Sequence, residues 1–366
     1  MQRTLPKYPP HGALRNELKA AVQAYLDGAP HDSPGGWRIF RKSLVIGGIA
    51  VGSYLLLLLV ATAWWQAIPL SVVLAFALAG IGFNIMHDGG HGSYASHRAG
   101  NRMAAMTLDI LGGSSYVWRF KHNFLHHSYP NVAGVDDDLE AGALLRLSPH
   151  QPRMRIHRFQ HWYAWLLYGA LAVKWHVVDD YRDVITGRVA GHRMPRPRGW
   201  DLVQFLAGKL IFISWAFVIP IWIHGVWLTL AFYLLCFGMM GVIMAAVFQL
   251  AHCVEGADQF DCPESTERLE HDWAEQQLAT TVNFARGSRL LTWYLGGLNY
   301  QVEHHLFPKI SHVHYPAVAE VVREVCLRHH VAYREHVTLW DALTAHARHL
   351  RDMGHASAVA ASAAAA

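Results

Sequence analysis

Histidine accounts for 26 of the 366 residues, and three short strings concentrate it. His87-Asp88-Gly89-Gly90-His91 sets two imidazoles four residues apart. His122-Asn123-Phe124-Leu125-His126-His127 repeats that spacing and adds an adjacent ring, and Gln301-Val302-Glu303-His304-His305 ends on a pair. On a helix, residues four apart share a face with Cβ atoms about 5–6 Å from each other, which suits a shared metal ion. An adjacent ring lies about 100° further round, so the second string can aim at two neighbouring metal centres rather than one. In the third string, positions 301, 304 and 305 share a helical face, where Gln301 offers an amide oxygen or a hydrogen bond. His252 stands alone at the end of a long apolar run. Neutral imidazole suits iron, zinc or copper, and spacing does not choose among them. Cys236, Cys253, Cys262 and Cys326 form no CxxC pair, so neither a disulfide framework nor a thiolate zinc site is indicated.

Each histidine has a bland reading: a phosphate contact at His122, a helix cap at His127 or His305, an interfacial polar group at His252. Together these readings fail, because independent surface histidines would not collect in three tight strings. The other eighteen, His176 and His312 among them, lack such an arrangement and are expected on the surface or in the ordinary core.

The elements that must position the strings are membrane spans. No formal charge lies between Lys42 and Asp88, and only 16% of residues are charged against roughly 25% in soluble domains. A hydrocarbon core of about 30 Å takes about 20 apolar residues, which predicts spans over 44–65 and 68–87, turning at Gln66 and Pro69. A second pair is predicted over 202–223 and 226–251, turning at His224-Gly225. Lys209 is the only formal charge in that pair, free on sequence grounds to reach the interface or face the interior. Trp64, Trp65, Trp222 and Trp227 cluster at the two turns, where an aromatic belt belongs. Arg3, Lys7, Arg15, Lys19, Arg38, Arg41 and Lys42 precede the first span while both turns lack Lys and Arg, so both termini and the histidine strings are expected on the cytoplasmic side.

The fold expected is therefore an all-α integral membrane protein: four transmembrane helices in two hairpins beneath a helical cytosolic cap that carries a histidine-rich dimetal site. Residues 1–42 form a cytosolic segment in which Leu14, Leu18, Val22 and Tyr25 mark an amphipathic helix ended by Gly28. Residues 43–355 form the membrane domain, and 356–366 an Ala-rich tail expected to be disordered. About forty polar residues before the first apolar run argue against a cleavable signal peptide. The uncharged aromatic stretch 159–173 is too short to span and is expected to be interfacial or buried. A formal charge of +4 leaves no footprint for nucleic acid.

The three strings and their order resemble the membrane fatty-acid desaturases, whose three histidine boxes they match across about 39–330. GVDDDLE (134–140), FQLAHCVE (248–255) and GGLNYQVEHHLFP (296–308) are similar to the acyl-CoA or linoleoyl-CoA branch. Gln301 at the head of the third box is similar to the front-end enzymes, which add a double bond between an existing one and the carboxyl end. The resemblance implies a di-iron centre, with His87, His91, His122, His126, His127, His252, His304 and His305 as ligands and Gln301 as a ligand or a supporting group. It implies O2 and two electrons used to desaturate a fatty acyl-CoA or acyl-lipid beside the membrane lipids. Asp88, Asp137 and Glu303, with Asp136 and Asp138, are placed to accept the second ring N–H of ligating histidines; for 136–138 a solvated loop or a docking patch is the equal alternative. Tyr116, Trp118 and Tyr300 flank the boxes as candidate acyl-chain contacts. Many front-end enzymes carry a fused cytochrome b5 domain with an HPGG haem motif. Here only HDSPGG (31–36) stands near the start, so a separate donor, ferredoxin or cytochrome b5 with a reductase, is expected. Two alternatives remain open on spacing alone: a hydroxylase or oxygenase of acyl, sphingolipid or carotenoid substrates on the same scaffold, and, more distantly, a membrane haem or metal-carrier protein.

Overall fold

The computed structural model describes residues 5–28, 36–262 and 268–355. The alanine-rich tail and most of the HDSPGG string lie outside the described residues. The structure is predominantly helical, with two minor two-stranded ladders, Arg188–Val189 antiparallel to His192–Arg193 and Asn283–Phe284 parallel to Glu335–His336.

Four helices are long and apolar enough to cross a membrane: Trp37–Leu59, Trp64–His91, Trp200–His224 and Val226–His252. The first two differ from the sequence expectation. The first span starts at Trp37, seven residues before Leu44, because Arg38, Arg41 and Lys42 are helical and sit in its opening turns. The turn falls at 60–63, ahead of Gln66 and Pro69. Gln66 Oε1 accepts the N–H groups of Thr62 (3.0 Å) and Ala63 (3.2 Å), so its side chain caps the second span from inside it. Pro69 then lies within the helix, where its missing N–H deprives only a first-turn carbonyl of a partner. The second turn is where expected: Gly225, at φ 79° and ψ 168°, breaks the helix between His224 and Val226. His224 Nε2 bonds the Leu58 carbonyl at 3.0 Å, tying the two turns together.

The first and second spans pack on each other, and the fourth packs on the second. Leu74, Leu78, Phe83, Phe237, Met240 and Met244 form the centre of that core. Trp64, Trp65, Trp222 and Trp227 all stand exposed at the turns, as an interfacial belt does. Lys209 faces the interior. Its Nζ bonds Asp180 Oδ2 and the Gly112 carbonyl, each at 2.6 Å.

Outside the spans, the helix Ala13–Gly28 buries Leu14, Leu18 and Val22 against Leu278, Val302, Val318 and Val322. It thereby backs the segment that carries His304 and His305. Within 159–173 the helix Gln160–Tyr168 buries Ala164 and Tyr168 while Trp162 and Leu166 stand exposed, the two-sided burial of an interfacial helix.

Candidate metal centre

The second span delivers the first histidine pair. After a π-helical turn, Gly82–Met86, it regains α-helical winding over His87–His91, so the glycine pair does not unwind it. Both glycines are there for space. A Cβ at Gly89 would meet the backbone of Ala105, and one at Gly90 would collide with the indole of Trp118. The second string starts on a short helix, Ser115–Trp118, whose cap Ser114 Oγ accepts the Val117 N–H, and then winds as a π-helix over Arg119–His126. His252 is the last residue of the fourth span, and His304 and His305 lie in the helix Gln301–Leu306.

All eight rings are buried and meet in one cluster. Centroid separations are 4.7 Å for His87–His91, 4.5 Å for His87–His304, 4.7 Å for His126–His252 and 4.9 Å for His126–His305. The rings resolve into two groups whose nitrogens lie within 4.8 Å of one another: His87, His91, His122 and His304, and His126, His252 and His305. His127 stands between them, 4.6 Å from His304 and 4.3 Å from His305. The adjacent rings of the second string thus point to different groups.

Four of the outward nitrogens are held, while Nδ1 of His87 and of His127 is buried without a hydrogen-bond partner. Nδ1 of His126 donates to Asp136, 3.1 Å from both carboxylate oxygens, and Nδ1 of His252 to the Thr280 carbonyl at 3.1 Å. Nδ1 of His305 donates to Gln277 Oε1 at 3.0 Å, and Nδ1 of His304 to the Tyr315 hydroxyl at 3.2 Å. A ring that donates through Nδ1 presents the lone pair of Nε2. The Nε2 atoms of His87, His91, His304 and His305 are buried with no hydrogen-bond partner. A buried nitrogen without a partner costs about 1–3 kcal/mol, and several in one cluster are the signature of a site built for metal. Electrostatics agrees: burial, then repulsion from neighbouring rings, holds His122, His127, His304 and His305 well below the usual imidazole range, leaving them neutral. His126 differs. Burial pushes its pKa down, but Asp136 and Asp138 outweigh that and raise it to about 9. The donor set, imidazole nitrogens in two groups with His127 between them, fits a pair of transition-metal ions. Rings this close leave no gap for a haem macrocycle.

Comparison with known proteins bears on which chemistry such a site serves. Residues 62–337 match the family described as fatty acid desaturase. The chain is 34% identical over 344 residues to the sn-1 linoleoyl-lipid 6-desaturase of Arthrospira platensis, covering 93% of this chain and 92% of that one. It is 32% identical over 364 residues to the enzyme of the same name from Synechocystis sp., with 96% and 98% covered. The acyl-lipid (8-3)-desaturase of Physcomitrium patens is 35% identical over 324 residues, 86% of this chain and 66% of that protein. The chain belongs to the fatty acid desaturase family.

In this desaturase the acidic residues divide unevenly. Asp136, fully buried, is the partner of His126, with Asp138 Oδ2 at 3.5 Å from the same nitrogen. Asp137 turns instead to Lys121 Nζ at 2.5 Å. Within the run, Asp136 supports a histidine from a buried position, while Asp137 and Asp138 are partly exposed. Glu303 is bonded to Asn283 (2.9 Å) and Tyr333 (2.8 Å) and to no histidine; burial raises its pKa to about 7. Gln301 is buried at the start of the same helix as His304. Asp88 accepts from His312 Nδ1 at 2.6 Å, and Lys42 Nζ donates to His312 Nε2 at 3.1 Å. His312 was expected among the ordinary histidines. It sits seven residues past His305 with only His314 nearby, and no spacing rule links it to Asp88, 224 residues away. Gln277, Thr280 and Tyr315 were likewise invisible, because their roles come from tertiary contact.

The three aromatic candidates separate. Trp118 stacks on His122 with centroids 4.4 Å apart and planes 22° apart. It lines, with His122, Leu171, Trp175, Ala245 and Phe248 and the charged Lys121, Asp137, Asp138 and Lys174, a cavity of about 310 Å³ beside the metal centre. Tyr116 and Tyr300 do not line that cavity; their hydroxyls bond the carbonyls of Pro195 and Arg286.

Proposed function

We propose that this desaturase acts on linoleoyl or related polyunsaturated chains carried on a membrane glycerolipid, inserting a double bond between the existing ones and the carboxyl end. The observation that carries the reading is a cavity, walled in part by Trp118, Leu167, Leu171, Ala245 and Phe248, that ends on His122, a ring of the histidine cluster. The names of the two cyanobacterial relatives, matched over more than nine-tenths of their length, and Gln301 at the head of the third box support the substrate and the front-end position.

The eight histidines would hold two iron ions, which when bound would supply the oxidation by O2 that removes two hydrogens, with two electrons from a separate carrier, ferredoxin or cytochrome b5. The rest is positioning. A methylene chain offers no polar handle, so one carbon pair is selected by the shape of the cavity wall. Trp118, wedged between Gly90 and His122, forms the part of that wall nearest the metals. Asp136, Gln277, Thr280 and Tyr315 fix the tautomers of four ligands. The spans enter from the cytoplasm as two hairpins and the centre lies at their cytoplasmic ends.

The test is expression, with a competent electron donor, in a host whose lipids are defined, followed by gas chromatography of derivatives that locate double bonds. A new bond at carbon 6 of lipid-bound linoleoyl chains, lost in His126→Ala and His304→Ala, is expected. A hydroxylated product would move the reading to a hydroxylase, and an unchanged lipid profile would overturn the substrate.

A further inference from the structure

A second depression, separate from the acyl cavity, lies where the first span enters the membrane. Arg38, Arg41, Lys42 and Val45 recur at i, i+3, i+4 and i+7, one face of that helix. They oppose Arg286, Arg289 and Trp293 across a groove of about 930 Å³. Five cations line it and no carboxylate does. Arg286 is held by Glu335 (2.5 Å) and Glu320 (3.2 Å) from behind. Lys42 lies over the Trp293 ring at 5.3 Å and bonds His312, which forms the floor. Among the described residues Arg41 and Arg289 make no ion pair, and both are exposed. Directly beside them, Trp37, Phe40, Leu44 and Leu290 are exposed on the two walling elements.

Arg286 is already paired and Lys42 is tied to the His312–Asp88 chain, so the charges that call for an anion are Arg41 and Arg289, exposed on the two walls. The apolar flank says which anion. A free phosphate or a soluble nucleotide needs the cations alone, whereas exposed tryptophan, phenylalanine and leucine continuous with the span favour a molecule whose anionic head sits in the groove and whose tails run down the first span. We propose that this groove binds the phosphodiester headgroup of an anionic glycerophospholipid. The proposal stands on the groove's charge and surroundings and does not rest on the desaturation reading.

The test is native mass spectrometry of the full-length protein in detergent, with short-chain phosphatidylglycerol and phosphatidylcholine at equal concentrations. Retention of phosphatidylglycerol over phosphatidylcholine is expected. Basic residues near a lipid surface contribute about fivefold each, so Arg41→Ala/Arg289→Ala should weaken retention about 30-fold, and Arg41→Lys/Arg289→Lys should keep most of it. Arg323→Ala/Arg351→Ala, an equal loss of exposed charge away from any groove, should leave it unchanged. Equal retention of the two lipids, an equal loss in the remote control, or displacement by inorganic phosphate or coenzyme A would each overturn the assignment.

Discussion

Asp136→Asn isolates the support of one metal ligand from the ligand itself. The carboxylate of Asp136 is fully buried and serves three donors: His126 Nδ1, the Asn131 N–H at 2.9 Å on Oδ2 and the Asp138 N–H at 3.0 Å on Oδ1. An amide has only one oxygen. Whichever way it turns, its NH2 faces one of two backbone N–H groups, leaving a buried donor unsatisfied at about 1–3 kcal/mol, while His126 loses its charged acceptor. Outer partners of metal-bound histidines are worth about 10–100-fold in metal affinity, or about 1.4–2.7 kcal/mol. The assay is iron per chain, measured by elemental mass spectrometry during a titration with a ferrous chelator. The midpoint should shift 10–100-fold toward lower chelator in Asp136→Asn. Asp137→Asn is the matched control: its partner is Lys121, so the iron titration should overlay the wild type. Superimposed curves for Asp136→Asn and wild type would refute the argument that this carboxylate sets the orientation of His126.

Three further outcomes follow from the packing. Gly90→Ala puts a methyl into the Trp118 indole, which must leave its stack on His122; overpacking of about 1–3 kcal/mol should lower desaturation at least tenfold with iron content retained, and normal product yield would show that Trp118 is not part of the working wall. Lys209→Met strands Asp180 in a buried site, a change worth about 3–5 kcal/mol in denaturant or thermal unfolding, and the double variant with Asp180→Asn should recover most of it. Burial raises the Asp180 pKa to about 6 against the pull of Lys209. Because the native state then holds this proton more tightly than the unfolded chain, the cost in Lys209→Met should be full at neutral pH and shrink on acidification; a pH-independent deficit would exclude Asp180 as its origin. Metal removal should lower the unfolding temperature, since each ion at 100 times its Kd contributes about 2.7 kcal/mol, with recovery on adding Fe(II); insensitivity to chelation would argue against a resident metal.

Much of the architecture was open to a reader of the sequence, for local reasons. Charge-free runs mark membrane helices because an unpaired charge in hydrocarbon is costly, and Gly225 marks its turn because only glycine adopts that backbone readily. The first turn departs from expectation for an equally local reason: Gln66 and Pro69 have the residue types of a turn, but Gln66 caps the second span from inside it and Pro69 fits within the helix. What stayed hidden is tertiary. Lys42, His312 and Asp88 form a buried chain drawn from three distant segments; Asp88 is marked by its place in the first string, but nothing in the sequence points to His312 and Lys42 as its partners.

The second histidine string shows why spacing alone understated the site. In an α-helix, His122 and His127 would lie five residues and about 140° apart, too divergent to share a metal group. The segment is instead wound as a π-helix, with the His127 N–H bonding the His122 carbonyl at 2.9 Å. An i→i+5 bond brings residues five apart onto one face, and the two Nε2 atoms stand 3.2 Å from each other. His126 is thereby released to face His252 and His305, while His122 and His127 meet His91. The π segment Arg119–His126 thus supplies a ring to each group, and His127, which caps it, stands between them, which an α-helix of the same sequence would not do. The π turn at Gly82–Met86, immediately before His87, makes the same kind of adjustment in the second span. π segments also occur at Trp175–Asp179 and Ser214–Val218, away from the strings, so it is the rings that the second string gathers, and not π winding as such, that support reading the strings as one metal centre.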